Sequence, residues 1–295
     1  YIMNILYPKP ILWEEDYFKY ILFDKTKYNI NINFVLYDHT TNFKIFSNQK
    51  NILILSCNYI PLDIIKNICF FLKPIIIFHL SDEWGKTQDY HLFYESLSSI
   101  RIVFHQYTHE KLKYTQNHMK IPLGCIKEYP LDKMVLNNNK EYDFSFIGEY
   151  KSDRKEILEL FQKHFSKSYI NSNKTNWQSI QGQTVSPTKM YDIYSKSIFV
   201  PVGRGNYSLE CFRIYEAILA GAIPVIIGNN KEIETCLILN GTMPKIVQAT
   251  SYMEVIDKCK IIYNDKEKQK EIVEYNFKWW NEENNKIIQK IIEQI

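Results

Sequence analysis

A chain of 295 residues with 45% hydrophobic and 23% charged residues is long enough for two globular domains, each with its own core. The net charge of +3 is too small for a nucleic-acid footprint, although it leaves room for a local basic pocket. Six cysteines, at 57, 69, 125, 211, 236 and 259, form no C-x-x-C pair and mostly fall in apolar runs, which reads as buried reduced thiols.

In the first half the runs "MNILY", "NFVLYD", "NILILSC", "PIIIFHL", "RIVFHQY" and "MKIPLG" read as strands. Helical patterns such as "LDIIKNICFFLK" and "YHLFYESLSSI" separate several of them. Continuously apolar strands with crossover helices mean a parallel sheet covered on both faces. The polar, Asn-rich stretch at 127–141 interrupts this alternation and reads as a linker. A second alternation follows. "YDFSFIG" is a strand, "DRKEILELFQKHF" and "SPTKMYDIYSKS" are helices, and "IFVPVG" is a strand. Another helix, the strand "AIPVIIG", and the runs "PKIVQA" and "YMEVIDKCKIIY" complete it. The tail is a long amphipathic helix with Trp279 and Trp280 as packing anchors. The predicted architecture is α/β, with two doubly wound, Rossmann-like domains facing across a cleft. They span 1–126 and 142–268, joined by 127–141, and the helix 269–295 packs back across both. Ligands of such sheets bind outside the carboxyl ends of the strands.

No run qualifies as a membrane span, since the best, residues 64–80, is broken by Lys66, Lys73 and Pro74. No signal peptide is visible. N-x-[ST] sequons stand at Asn173, Asn206 and Asn240. A glycan on Asn206 would obstruct a Gly-rich loop, which favours a soluble, cytoplasmic chain. Tyr1 ahead of Met3 points to trimming or a remnant, and this leaves a removed membrane anchor open.

The most informative stretch is "PVGRGNYSLECFRIYEAILAGAIPVIIG", 201–228. A strand runs into Gly203-Arg204-Gly205, followed by Asn206, and Ser208 is placed to cap the next helix. A glycine loop feeding a helix N-terminus offers free N–H groups to phosphate. At helical spacing, Arg213 and Glu216 share one face of an otherwise apolar helix. The arginine can fork onto phosphate oxygens, and the carboxylate suits a ribose diol. An ordinary i,i+3 ion pair on a helix surface would have the same spacing.

The segment "CFRIYEAILAGAIPVII" resembles the signature of the exostosin-like glycosyltransferases, a GT-B family with an R-[LI]-x-E-A core followed by G-x-I-P-V. "FHLSDEWG" (78–85), "IPLG" (121–124) and "FSFIGEYKSDRKEIL" (144–158) extend the likeness in the family's order. The resemblance implies that Arg213 and Glu216 hold the diphosphate and ribose of a nucleotide sugar. It also implies that 1–126 is the acceptor side and 142–268 the donor domain.

In "FIGEYKSDRKE", Gly148 would let the backbone approach the donor and Arg154 could reach a phosphate, although a solvated first-turn arginine fits as well. Asp82 and Glu83 stand at the carboxyl end of a strand and are the expected catalytic base, with Asp82 the marginal choice. Helix capping or acceptor binding would also place carboxylates there. Glu14, Glu15, Asp38 and His39 are lesser candidates. His105 and His109 lie four apart but begin in a strand pattern with no third ligand, so no zinc site is expected. No D-x-D occurs, which argues against a metal-gripped diphosphate.

The expected function is an inverting, metal-independent glycosyltransferase. It would move a sugar from a nucleotide donor, UDP foremost, to a glycan, glycoconjugate or other hydroxyl acceptor, with no cofactor, nucleic acid or membrane span. The alternative is a non-catalytic nucleotide-sugar or carbohydrate-binding protein on the same fold.

Overall fold

The computed structural model describes residues 2–9, 13–28, 30–56, 60–110, 112, 114–134, 136–150, 152–173 and 185–295, without the side chains of Ser152 and Asn173. Cys57 and the Asn173 side chain therefore lie outside the described residues. The chain forms two compact units, one of Tyr1–Pro122 with Glu283–Ile295, the other of Leu123–Glu282.

In the first unit, strands β1 (Ile2–Pro8), β2 (Asn31–Tyr37), β3 (Lys50–Ser56), β4 (Ile76–Leu80), β5 (Ile102–His105) and β6 (His118–Lys120) make one sheet in the order β2-β1-β3-β4-β5-β6. All its ladders are parallel. Helix α1 (Leu62–Leu72) buries Ile65, Ile68, Cys69 and Leu72, a 3–4 spacing that lays one apolar stripe on the sheet. It ends at Lys73 in the left-handed conformation, just ahead of Pro74, which cannot continue a helix. Helix α2 spans Gln88–Glu95. The other sheet face is covered by rings: Phe18 and Phe23 pack edge-on against Phe78, which stacks on Phe104 at 4.7 Å.

The second unit repeats the plan. It contains β7 (Tyr142–Glu149), α3 (Ser152–His164), β8 (Ser168–Asn173), α4 (Pro187–Ser195), β9 (Ser197–Val202), α5 (Phe212–Leu219), β10 (Ile223–Ile227), α6 (Asn230–Leu237), β11 (Val247–Ala249) and α7 (Tyr252–Tyr263). The sheet order is β11-β10-β9-β7-β8, again all parallel. The sequence reading omits β8, whose "SYINSN" is polar for a strand, and α6. Phe144, Phe146, Phe161, Phe199 and Val225 lie in its core.

Helix α8 (Lys266–Ile292) contributes to both units. In the second, Trp280 is buried against Tyr215 and Trp279 Nε1 donates to Thr242 Oγ1 at 3.1 Å. In the first, Asn284 Oδ1 accepts from the Tyr17 hydroxyl at 2.7 Å, and Ile287, Ile288 and Ile291 are buried. None of the five described cysteines is in a disulfide. Among the described residues no helix is long and apolar enough to cross a membrane.

In each sheet the first strand lies between the second and the third, so the order reverses between β1 and β3 and again between β7 and β9. The carboxyl ends at those reversals are where such sheets open a crevice for ligand.

Candidate active site

At the β7/β9 reversal the structure gathers Gly148, Arg154, Gly203, Arg204, Arg213 and Glu216. The glycines there make room for arginines. A Cβ at Gly148 would overlap Arg213 Nη2, and one at Gly203 would overlap Arg154 Cγ. Gly148 also has φ +147°, a conformation that L side chains rarely adopt.

The two arginines have unusual partners. Arg154 is buried. Its Nη1 donates to Glu149 O at 2.8 Å, its Nη2 donates to Arg204 O, and its Nε has no partner. Arg213 donates through Nε to Ile147 O at 3.1 Å and lies over the Phe146 ring at 4.6 Å. Neither makes an ion pair with a carboxylate among the described residues. Burial and the neighbouring Arg213 charge lower the Arg154 guanidinium to about 10. Two cations held together by carbonyls and an aromatic face form a preorganised receptor for an anion.

Glu216 lies one turn beyond Arg213 on α5 and is buried. Burial, only partly opposed by Arg213, raises its carboxyl to about 7. Its Oε1 has no hydrogen-bond partner. The surface ion pair that the i,i+3 spacing allows is therefore not what forms here. Tyr129 braces this helix by donating its hydroxyl to Glu216 O at 2.6 Å.

The remaining loop residues take other roles. Helix α5 begins at Phe212, with Cys211 at the N-cap position and no side-chain cap bond, so Ser208 is not the cap. Ser208 Oγ instead accepts from Glu210 N at 3.0 Å, and Gly205 N donates to Ser208 O at 2.8 Å, which closes the loop on itself. The Arg204 guanidinium is forked onto Glu232 of α6, and its backbone N–H donates to Asp153 Oδ2 at 2.7 Å. Held this way, Arg204 braces the loop beside the arginine pair. Asn206 is exposed. A cavity of about 420 Å³ in this unit, lined by Lys140, Ile198, Ile223 and Lys266 among others, touches none of these residues.

In the first unit Asp82 and Glu83 follow β4 as expected, but both are buried. Asp82 accepts from Lys86 N at 3.1 Å and from the Thr87 hydroxyl, and His79 Nε2 lies 3.8 Å from its Oδ2. Burial opposes its charge, but these donors outweigh burial and hold the carboxyl below its usual range. A carboxylate so stabilised is a poor proton acceptor. His105 and His109 do not converge. His105 Nδ1 meets Tyr107 O at 2.9 Å, and His109 Nε2 meets Asp82 O at 2.6 Å.

Glu14, in the loop after β1, has a different setting. It is 3% exposed, and Gln106 Nε2 donates to its Oε1 at 2.6 Å. Gln106 Oε1 accepts from Ser81 N at 2.9 Å, so one amide ties together the loops following β1, β4 and β5. Ser81 takes φ +67°, a strained value for a residue with a Cβ, and such strain clusters at functional sites. Burial raises the Glu14 carboxyl to about 7, against the pull of Gln106. Glu15 pairs with Lys19, Asp38 caps its own turn at Thr40, and His39 is exposed. Gln106 carries no signal in the sequence, because its partners lie 25 and 92 residues away.

Two Rossmann-like units, each with an all-parallel sheet whose strand order reverses at its first strand, define the GT-B class of fold. A crystal structure of Anabaena Alr3699/HepE in complex with UDP and glucose is similar along 99% of this chain and 98% of that one, with a TM-score of 0.51 and 10% sequence identity. No curated protein matches the chain. The model of the RXYLT1 C-terminal domain matches residues 126–295, more than half of the sequence. The chain belongs to that family, within the exostosin-like glycosyltransferases.

Proposed function

We propose that this protein transfers a sugar from a nucleotide donor, UDP-linked foremost, to a hydroxyl of a glycan or glycoconjugate, with inversion at the sugar carbon. The observation that carries this reading is the unpaired couple Arg154 and Arg213 beside the open Oε1 of Glu216. The arginines match a diphosphate, and the carboxylate matches a ribose hydroxyl donor. The similar HepE structure, which holds UDP and glucose, supports the same donor class.

In the reaction the acceptor oxygen attacks the anomeric carbon as the bond to the diphosphate oxygen breaks. The leaving diphosphate takes that electron pair, and the two guanidinium groups neutralise its growing charge. They do so in place of a metal on the diphosphate. A base takes the acceptor's proton. Glu14 suits this role better than Asp82, because its burial brings it close to neutral proton affinity while Gln106 fixes its orientation.

Calorimetry with UDP and with uridine, followed by an assay for UDP release with and without acceptor sugars, tests the reading. Binding of UDP well above uridine is expected. A protein that binds neither contradicts the proposed donor site, and one that binds UDP without ever releasing it from a sugar donor is the binding protein instead.

A further inference from the structure

The first unit holds a second cluster of reactive groups that sugar transfer does not use. His79 of β4, Asp82 of the loop after it and His91 of α2 are all buried, at 2%, 5% and 1% exposure. One ligating atom from each falls within 4.8 Å of the others. We propose that these three side chains bind a divalent first-row transition ion, zinc foremost.

Charge supplies the first argument. Asp82 is a buried carboxylate that accepts from a hydroxyl and a backbone N–H, and its nearest ionisable neighbour is an imidazole, His79 Nε2, at 3.8 Å. Buried charges in proteins are paired or coordinate metals, and no Lys or Arg pairs with this one among the described residues.

Orientation supplies the second argument. A ligating histidine commonly fixes its ring by bonding the other nitrogen elsewhere. His79 spends Nδ1 on the Tyr94 hydroxyl at 3.1 Å, which turns Nε2 toward Asp82. His91 spends Nδ1 on His118 Nε2 at 3.2 Å, and no hydrogen bond reaches its own Nε2 among the described residues. Thr87 Oγ1 donates to Asp82 and lies 2.9 Å from His79 Nε2, so the Nε2–H is directed at this hydroxyl and an ion would take the place of that proton. Two imidazoles and one carboxylate are a donor set of zinc and its neighbours, with a fourth position left for water. The spacing of the ligands explains why the sequence hides the site. His79 and Asp82 are three apart at a strand end, and His91 arrives from a separate helix. This ion would sit in the first unit and have no part in holding the diphosphate.

The test is titration of the whole, chelator-stripped protein with Co²⁺ and then Zn²⁺. One equivalent of Co²⁺ should give the visible d–d absorption of a low-coordinate nitrogen and oxygen site, and Zn²⁺ should displace it. His79→Gln and His91→Gln should each abolish the band. His118→Gln, which removes only an orienting partner, should keep the stoichiometry and weaken binding by roughly 10- to 100-fold. A wild-type protein with no such band overturns the proposal even if every variant misfolds. A band that survives the double change His79→Gln and His91→Gln overturns it as well, since the ion then sits on other groups.

Discussion

Gly148 and Arg213 occupy neighbouring volumes that admit only one side chain. The guanidinium fills the space a Cβ at 148 would take, so the glycine in β7 and the arginine in α5 are a single device. Gly148→Ala should therefore displace Arg213 and add backbone strain of about 1–3 kcal/mol at φ +147°. A lowered melting temperature together with weakened UDP binding is the expected pair of results. Unchanged UDP affinity would show that Arg213 does not need its present position.

Arg213→Ala should weaken UDP by about 1.5–3 kcal/mol while leaving uridine nearly unaffected, because only the diphosphate takes the charge-assisted contacts. Paired calorimetric titrations of the variant with both ligands provide the check. Equal losses for the two would remove Arg213 from the diphosphate site.

Glu14→Gln keeps size and the bond to Gln106 but cannot accept a proton. Transfer should drop roughly 100- to 10,000-fold with the UDP Kd unchanged. Asp82→Asn should act mainly on stability, since it disturbs the contacts with Thr87 and Lys86 N. If Asp82→Asn proves inactive at full stability while Glu14→Gln transfers normally, the base follows β4.

The same carboxylates set a pH dependence. Glu14 and Glu216 are raised from 4.5 to about 7, so the folded state binds more protons than the unfolded chain between those values. Their contribution to stability is fully present below 4.5 and is lost as the pH rises through about 7. The double variant Glu14→Gln, Glu216→Gln should flatten this part of the melting-temperature profile. Activity should run the opposite way and rise through about pH 7 as Glu14 loses its proton. Melting curves and kcat/KM measured across the range separate the two trends.

Because arginines replace a metal at the diphosphate in the proposed mechanism, adding Mg²⁺ or Mn²⁺ should not alter the UDP Kd. Tighter binding with either ion, lost on chelation, would argue for a metal on the donor.

The alternation of apolar runs with helical patterns determined the two Rossmann-like units, because strands buried on both faces must be apolar throughout and their connections must be long. "FRIYEAILAGAIPV" determined the family, and its spacing put Arg213 and Glu216 on one helix face. The polar edge strand β8 escaped this reading, since its side chains carry little of the burial pattern. Tertiary structure alone decided which charges are free to act. Spacing permitted an Arg213–Glu216 surface pair, but burial left Glu216 Oε1 open. Arg204 looked as available as Arg154 until Glu232 arrived from α6 to hold it. Asp82 and Glu14 both follow strands, and nothing local distinguishes them. His79, Thr87 and the Lys86 backbone N–H stabilise the charge of one, while desolvation beside a single amide raises the proton affinity of the other. Proton affinity and ligand competence depend on groups brought together from distant parts of the chain, and that convergence exists only once the sheets have formed.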